Sequence, residues 1–300
     1  MTLPTAPPGS DRRTVTKLGR ILIWSAGALG VLALIVLLTL SPDGIRQSSD
    51  PGSPITPLWV VLVPPLVAIA LTRSLPRSAP TLEPTVSNAR AIRRSVTALL
   101  VCAVLFPLVI GLTEIYDSAR YFLAKVVILV GIPAALVWRS RRNIKIAHPR
   151  LAWQWWAPIV VIAVWTILSQ ASPWITVPTF PGVDVTYLIA AAMLTALTAG
   201  VGEELFYRYW LQTRAEALLG RWGGIVLASF AFAIMHLGGN RQGNGLLVEI
   251  AAVIIVQGSF GIMLGYLWSK YRNLSLVIAA HIMANGYAVV AYLITGRISG

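Results

Sequence analysis

The chain has 300 residues, 56% of them hydrophobic and only 12% charged, with a mean hydropathy of +0.73. That composition excludes a water-soluble globular surface, a collagen-like repeat and a disordered polar tract. The net charge of +13 comes from 24 Lys and Arg against 11 Asp and Glu. In a soluble protein it would suggest nucleic-acid binding; here basic cytoplasmic loops and anionic lipid headgroups account for it, and no nucleic-acid partner is expected. A lone cysteine, Cys102, lies in an apolar run, has no intrachain disulfide partner and reads as a packing residue.

Residues 1–20 form a basic segment with Asp11, Arg12, Arg13, Lys17 and Arg20 among Pro, Thr and Ser. The apolar run from Ile21 to Leu40 is too long for a signal-peptide core, and the turn-like Ser41-Pro42-Asp43-Gly44 follows it instead of a cleavage site, which makes it an uncleaved first span. Further apolar stretches follow at 55–72, 95–113, 121–138, 152–170, 185–210, 223–238, 245–268 and 273–295. Together they predict about nine transmembrane spans, with eight possible. Pro64 and Pro65 should kink the second span, and the Pro/Ser-rich 73–89 and 171–183 read as loops. Trp153, Trp155 and Trp156, with Trp138, Trp210, Trp222 and Trp268, are expected in the aromatic belts at the membrane surfaces.

The loops give an orientation. With the N-terminus in the cytoplasm, the inner segments hold 19 basic residues, three of them in 203–222 and two in 269–272, against four outside: Arg46, Arg120, Arg241 and Arg297. Lys125 falls near the outer end of span four, where its stem can snorkel to the headgroups. The expectation is a multi-pass protein of the plasma (inner) membrane with its C-terminus outside. Lipid offers no partner to open backbone groups, and no ten-residue alternation of a membrane barrel appears, so the fold class is all-α, a polytopic helix bundle. Residues 21–150 supply the N-terminal helices and 151–300 the helices that hold the chemistry.

Ionisable side chains at membrane depth are costly unless paired or facing a wet cavity, and they gather in the last third of the chain. His148 lies in a basic loop, whereas His236 and His281 lie inside apolar stretches; Glu203 and Glu204 fall late in span six and Glu249 in span eight. Glu204 and Arg208 are four apart, which suits an ion pair on one helix face, while Glu203 points about 100° away and is free to face another helix. Phe232 and His236 share one face, as do His281 and Asn285. Gly200 and Gly202 can allow close helix approach. A carboxylate, two imidazoles and a carboxamide around one cavity can hydrolyse an amide: the acid takes a proton from water, an imidazole orients the water or relays the proton, and fixed donors stabilise the oxyanion. Neither a Gly-x-Ser-x-Gly elbow nor a His-Glu-x-x-His spacing is present.

Glu203-Glu204-x-x-x-Arg208, then Phe232-x-x-x-His236, then His281-x-x-x-Asn285, in that order on separate apolar stretches, resembles the three-motif signature of the CPBP family. That family comprises the CAAX prenyl endopeptidases of the Rce1 type and the bacteriocin-processing, Abi-type membrane proteins. The match covers about residues 185–295. The resemblance implies an intramembrane endopeptidase in which Glu203 and His236 activate water, His281 and Asn285 form the oxyanion site, and Glu204 and Arg208 support them. Phe232 reads as packing beneath the histidine. The implied substrate is a membrane-associated or lipidated peptide or protein, and no cofactor is expected; the metal alternative is a divalent ion such as zinc on Glu203, His236 and His281. Two other classes remain open, a non-catalytic scaffold that regulates a partner membrane protein and a proton-coupled transporter using Glu203, Glu249 and the histidines. Glu249 and Gln257 have no place in the signature, and their roles stay open.

Overall fold

The structure, a computed structural model, describes residues 16–46, 54–76, 84–115, 119–145, 156–176, 180, 182–237 and 245–295. Residues 1–15 of the basic N-terminal segment, His148, Trp153 and Trp155 lie outside the described residues. Among the described residues, nine apolar helices follow one another in the order of the nine apolar stretches. They are α1 (Lys17–Leu40), α2 (Leu58–Ser74), α3 (Ala89–Thr113), α4 (Ala119–Asn143), α5 (Trp156–Ala171), α6 (Val185–Leu219), α7 (Arg221–Met235), α8 (Leu246–Tyr271) and α9 (Leu274–Thr295). Two pairs of two-residue strands join loop ends, β1 (Ile45–Arg46) with β2 (Ile55–Thr56) and β3 (Thr85–Val86) with β4 (Ile144–Lys145), both antiparallel. The sequence reading did not anticipate these clasps.

Six of the helices are long and apolar enough to cross a membrane: α1, α3, α4, α6, α8 and α9. The chain is an integral membrane protein on that basis. The other three, α2, α5 and α7, have at most 17 residues, so at 1.5 Å per residue each reaches at most about 25 Å, short of the hydrocarbon thickness of about 30 Å. This qualifies the expected count of nine spans. Pro64 and Pro65 both lie inside the continuous helix α2 and are buried.

Helix α8 runs against α7, α1 and α2, and α9 lies along the middle of α6. One apolar core joins α3, α4, α6 and α7 through residues such as Leu99, Phe106, Leu129, Phe206 and Phe232, with Cys102 buried as a free thiol. A second joins α2, α5, α8 and α9 through Ala68, Val161, Trp165, Leu264 and Val277. Helix α1 turns large apolar side chains outward, Trp24, Val31 and Leu32 among them, as lipid contact requires.

Three of the expected inner-loop charges, Arg208, Arg214 and Arg272, are buried. Trp210 and Trp268, assigned to the aromatic belt, are buried as well; Trp268 Nε1 donates to Thr213 Oγ1 at 3.1 Å. The reason is the same for both groups. Helix α6 continues nine residues past the expected end of its span, and its last two turns pack into the bundle against α7 and α8. Among its contacts there, Gln212 donates to Glu216 Oε1 and to the Gly265 carbonyl at 2.7 Å each, and Glu216 pairs with Arg272. Trp138 and Trp222 remain exposed, as interfacial anchors should be.

Candidate active site

Two stretches of α6, Ala196–Glu203 and Leu205–Gln212, are wound as π-helix. Such widening is rare overall and frequent at functional sites; Val127–Gly131 of α4 and Ile167–Ala171 of α5 are wound the same way. On α6 it surrounds the paired glutamates. Helix α6 turns at Gly220 into α7, and Glu203 lies 17 residues before that glycine while His236 lies 16 after it. The two arms pack against each other and differ by one residue in length, so both side chains stand at a similar distance from the turn. Ending the sixth span at residue 210 would instead put Glu203 near the far end of that span and His236 near the far end of the next, at opposite membrane depths. The longer α6 and the short α7, with His236 as its C-cap residue, remove the mismatch.

Two glycines bring the neighbouring helices close. A Cβ at Gly200 would stand 2.5 Å from Ile282 Cγ1 of α9, and one at Gly202 would stand 3.3 Å from Val130 Cγ2 of α4. Two residues apart on a helix face nearly opposite ways, so one glycine admits α9 and the other α4.

The result is a buried cluster of charge. Glu203, Glu204, Arg208, Lys125 and His281 are each at most 6% exposed. Arg208 Nε lies 3.3 Å from Glu204 Oε2, the ion pair that the spacing implied. His281 Nδ1 lies 2.6 Å from Glu204 Oε1 and its Nε2 is 3.9 Å from Glu203 Oε2, so one imidazole spans both carboxylates. Lys125 Nζ is 2.5 Å from Glu203 Oε1. Two carboxylates thus face one ammonium and one guanidinium, the balance that buried charges need. Glu203 Oε2 makes no hydrogen bond among the described residues.

His236 is held differently. Its Nδ1 lies 2.8 Å from the Phe232 carbonyl oxygen, an acceptor only, so Nδ1 carries the hydrogen and Nε2 keeps its lone pair. The Phe232 ring sits between the two imidazoles, 4.8 Å from His236 and 5.8 Å from His281 centre to centre, both edge-on. It also receives the Arg208 guanidinium at 4.6 Å. Phe260 of α8 also stands edge-on to His281, at 5.4 Å. His236 is within electrostatic range of Glu203, Lys125 and His281.

The structure therefore brings Glu203, Glu204, Arg208, Phe232, His236 and His281 together. Asn285, one turn beyond His281 on α9, is exposed. Glu249 stands in the first turn of α8, where a carboxylate complements the helix N-terminus. Gln257 is partly buried, and its Oε1 has no hydrogen-bond partner among the described residues.

Lys125 corrects the sequence reading. It is a buried partner of Glu203 and does not snorkel, because α4 approaches α6 closely and its lysine points into the bundle. The signal was present: an ionisable residue inside an apolar stretch calls for a named partner. Phe260 was also missed, since aromatics in apolar runs carry no distinguishing pattern.

Residues 184–287 match the model of the type II CAAX prenyl endopeptidase Rce1-like family. Over these residues the chain is similar to that family. The matched segment holds all seven motif residues, from Glu203 to Asn285, and leaves α1 to α5 outside. No curated protein and no solved structure matches the chain. The Rce1-like family is a family of proteases, which sets the chemistry against which the cluster is read. The metal alternative fits poorly. Among the described residues no three His, Cys, Asp or Glu side chains converge as metal donors, and Glu203 and His281 already hold Lys125 and Glu204.

Proposed function

We propose that this chain is an intramembrane endopeptidase that hydrolyses a peptide bond of a membrane-associated or lipidated substrate without a metal ion. The observation that carries the proposal is the meeting of Glu203, Glu204, His236 and His281, from three helices, in one charge-balanced pocket.

In this reading Glu203 is the general base. Its Oε1 is held by Lys125, so Oε2 accepts the proton as water attacks the scissile carbonyl carbon. His236 Nε2, with its lone pair fixed by the bond from Nδ1, accepts a second hydrogen bond from the same water and orients it. The carbonyl oxygen becomes an oxyanion, which His281 and the carboxamide of Asn285 stabilise. The proton on Glu203 then passes to the leaving nitrogen, the C–N bond breaks, and an acid and an amine depart. Glu204 and Arg208 hold His281 in place. The exposed side of α9 at Asn285 is the route by which an extended peptide reaches the pocket.

The same proposal includes nine membrane crossings in the inner membrane, cytoplasmic N-terminus and external C-terminus, supported by the asymmetry of basic residues between alternate loops. For the three short helices it requires local thinning of the bilayer or burial of their ends in protein.

The test uses purified protein in detergent with two quenched fluorogenic peptides of one sequence, one carrying an S-farnesyl CAAX tail and one unprenylated. Wild-type protein should cleave at least one, and Glu203→Gln should lower turnover to background. Full retention by Glu203→Gln favours the scaffold, and proton flux in liposomes with no cleavage favours the transporter.

A further inference from the structure

Lys125 lies on α4, outside the Rce1-like segment, and yet its ammonium is the closest charged neighbour of the proposed base. We propose that Lys125 is a positioning residue of the active site: it pins Glu203 through Oε1, supplies its counter-charge, and thereby presents Oε2 to the attacking water. This rests on the protease reading above and adds to it a residue from the N-terminal half of the chain.

Four features support the assignment. The contact is direct, at 2.5 Å, with both side chains almost wholly buried. The approach of the two helices is built for it, because Gly202, next to Glu203, leaves room for Val130 on α4. The lysine is also held from its own helix, with Nζ 5.6 Å from the ring centre of Tyr121 one turn earlier, and Tyr121 is itself fixed edge-on against Phe106 of α3. Finally, the charge count requires it. Arg208 serves Glu204, so removing Lys125 leaves two buried carboxylates with one permanent cation, and Glu203 loses the bond that distinguishes its two oxygens. Removing the lysine alone therefore strands a buried carboxylate, whatever its role in catalysis, and the split between kcat and KM is what separates positioning from packing.

The experiment compares Lys125→Met and Lys125→Arg with wild type on the same two peptides, and adds a thermal double-mutant cycle with Glu203→Gln in detergent. The expected result is a fall in kcat of about a hundredfold or more for Lys125→Met with KM changed by less than about twofold, as loss of alignment in the transition state predicts. Lys125→Arg should regain most of the lost kcat, because it restores the cation. In the cycle, Lys125→Met/Glu203→Gln should melt above Lys125→Met alone, since the unpaired carboxylate is gone. Unchanged kcat in Lys125→Met, a loss confined to KM, no recovery by arginine, or additive melting shifts would each overturn the assignment while wild-type cleavage leaves the protease reading intact. If wild type cleaves neither peptide, the protease reading falls and the catalytic role of Lys125 falls with it; non-additive melting would then mark a structural ion pair only.

Discussion

Glu204 Oε1 and His281 Nδ1 lie 2.6 Å apart although 77 residues separate them in the chain. The contact ties α9 to the centre of α6, and Glu204 meets Arg208 through its other oxygen. Replacing Glu204 with Gln takes the carboxylate away from both partners at once. Breaking a buried pair by removing one partner is strongly destabilising, so Glu204→Gln should lose about 3–5 kcal/mol of stability. Denaturation in detergent micelles checks this. A loss below about 1 kcal/mol would mean that water reaches Arg208 and screens the pair as at an exposed surface.

Gly200→Ala places a methyl group 2.5 Å from Ile282 Cγ1, an overpacking expected to destabilise by about 1–3 kcal/mol. It should also push His281, the neighbour of Ile282, away from the glutamates and reduce turnover. The compensating change Ile282→Ala makes room on the partner helix. The double variant should recover both properties relative to Gly200→Ala; simple addition of the two effects would argue against the close approach.

Asn285 offers the opposite case. Its side chain is exposed and holds nothing in the buried cluster, so Asn285→Ala should leave stability within about 0.5 kcal/mol of wild type. If it stabilises the oxyanion, single-turnover cleavage should fall by about 10²–10³. A wild-type rate in the alanine variant would remove it from the mechanism.

The donor geometry predicts that chelation leaves the reaction unaffected. With Lys125 on Glu203 and Glu204 on His281, the candidate ligands are already engaged, and cleavage by purified protein should persist in excess EDTA. Loss of activity on chelation, restored by added zinc but not by magnesium, would assign the metal role to these residues after all.

Much of this site was readable from spacing. Glu204 and Arg208 at four residues, and the placement of single polar groups on otherwise apolar stretches, identify a buried constellation because such groups survive in lipid only when satisfied. What spacing could not give was the partner of Glu203. Lys125 sits 78 residues earlier, and nothing local distinguishes a lysine that snorkels from one that turns inward; only the approach of α4 at Gly202 decides. The span limits failed for a related reason. Leu211 to Leu219 includes Gln212, Thr213, Arg214 and Glu216, which read as a polar loop until Gly265, Arg272 and Trp268 are seen to satisfy them. Hydropathy counts polar residues and is blind to whether they are paired.

The nearly equal arms either side of Gly220 work as a caliper. One residue inserted into α7 would advance His236 by about 1.5 Å and swing it through about 100°, while Glu203 stayed in place. An insertion within either arm therefore parts acid from imidazole, because nothing else on the hairpin resets the register between them.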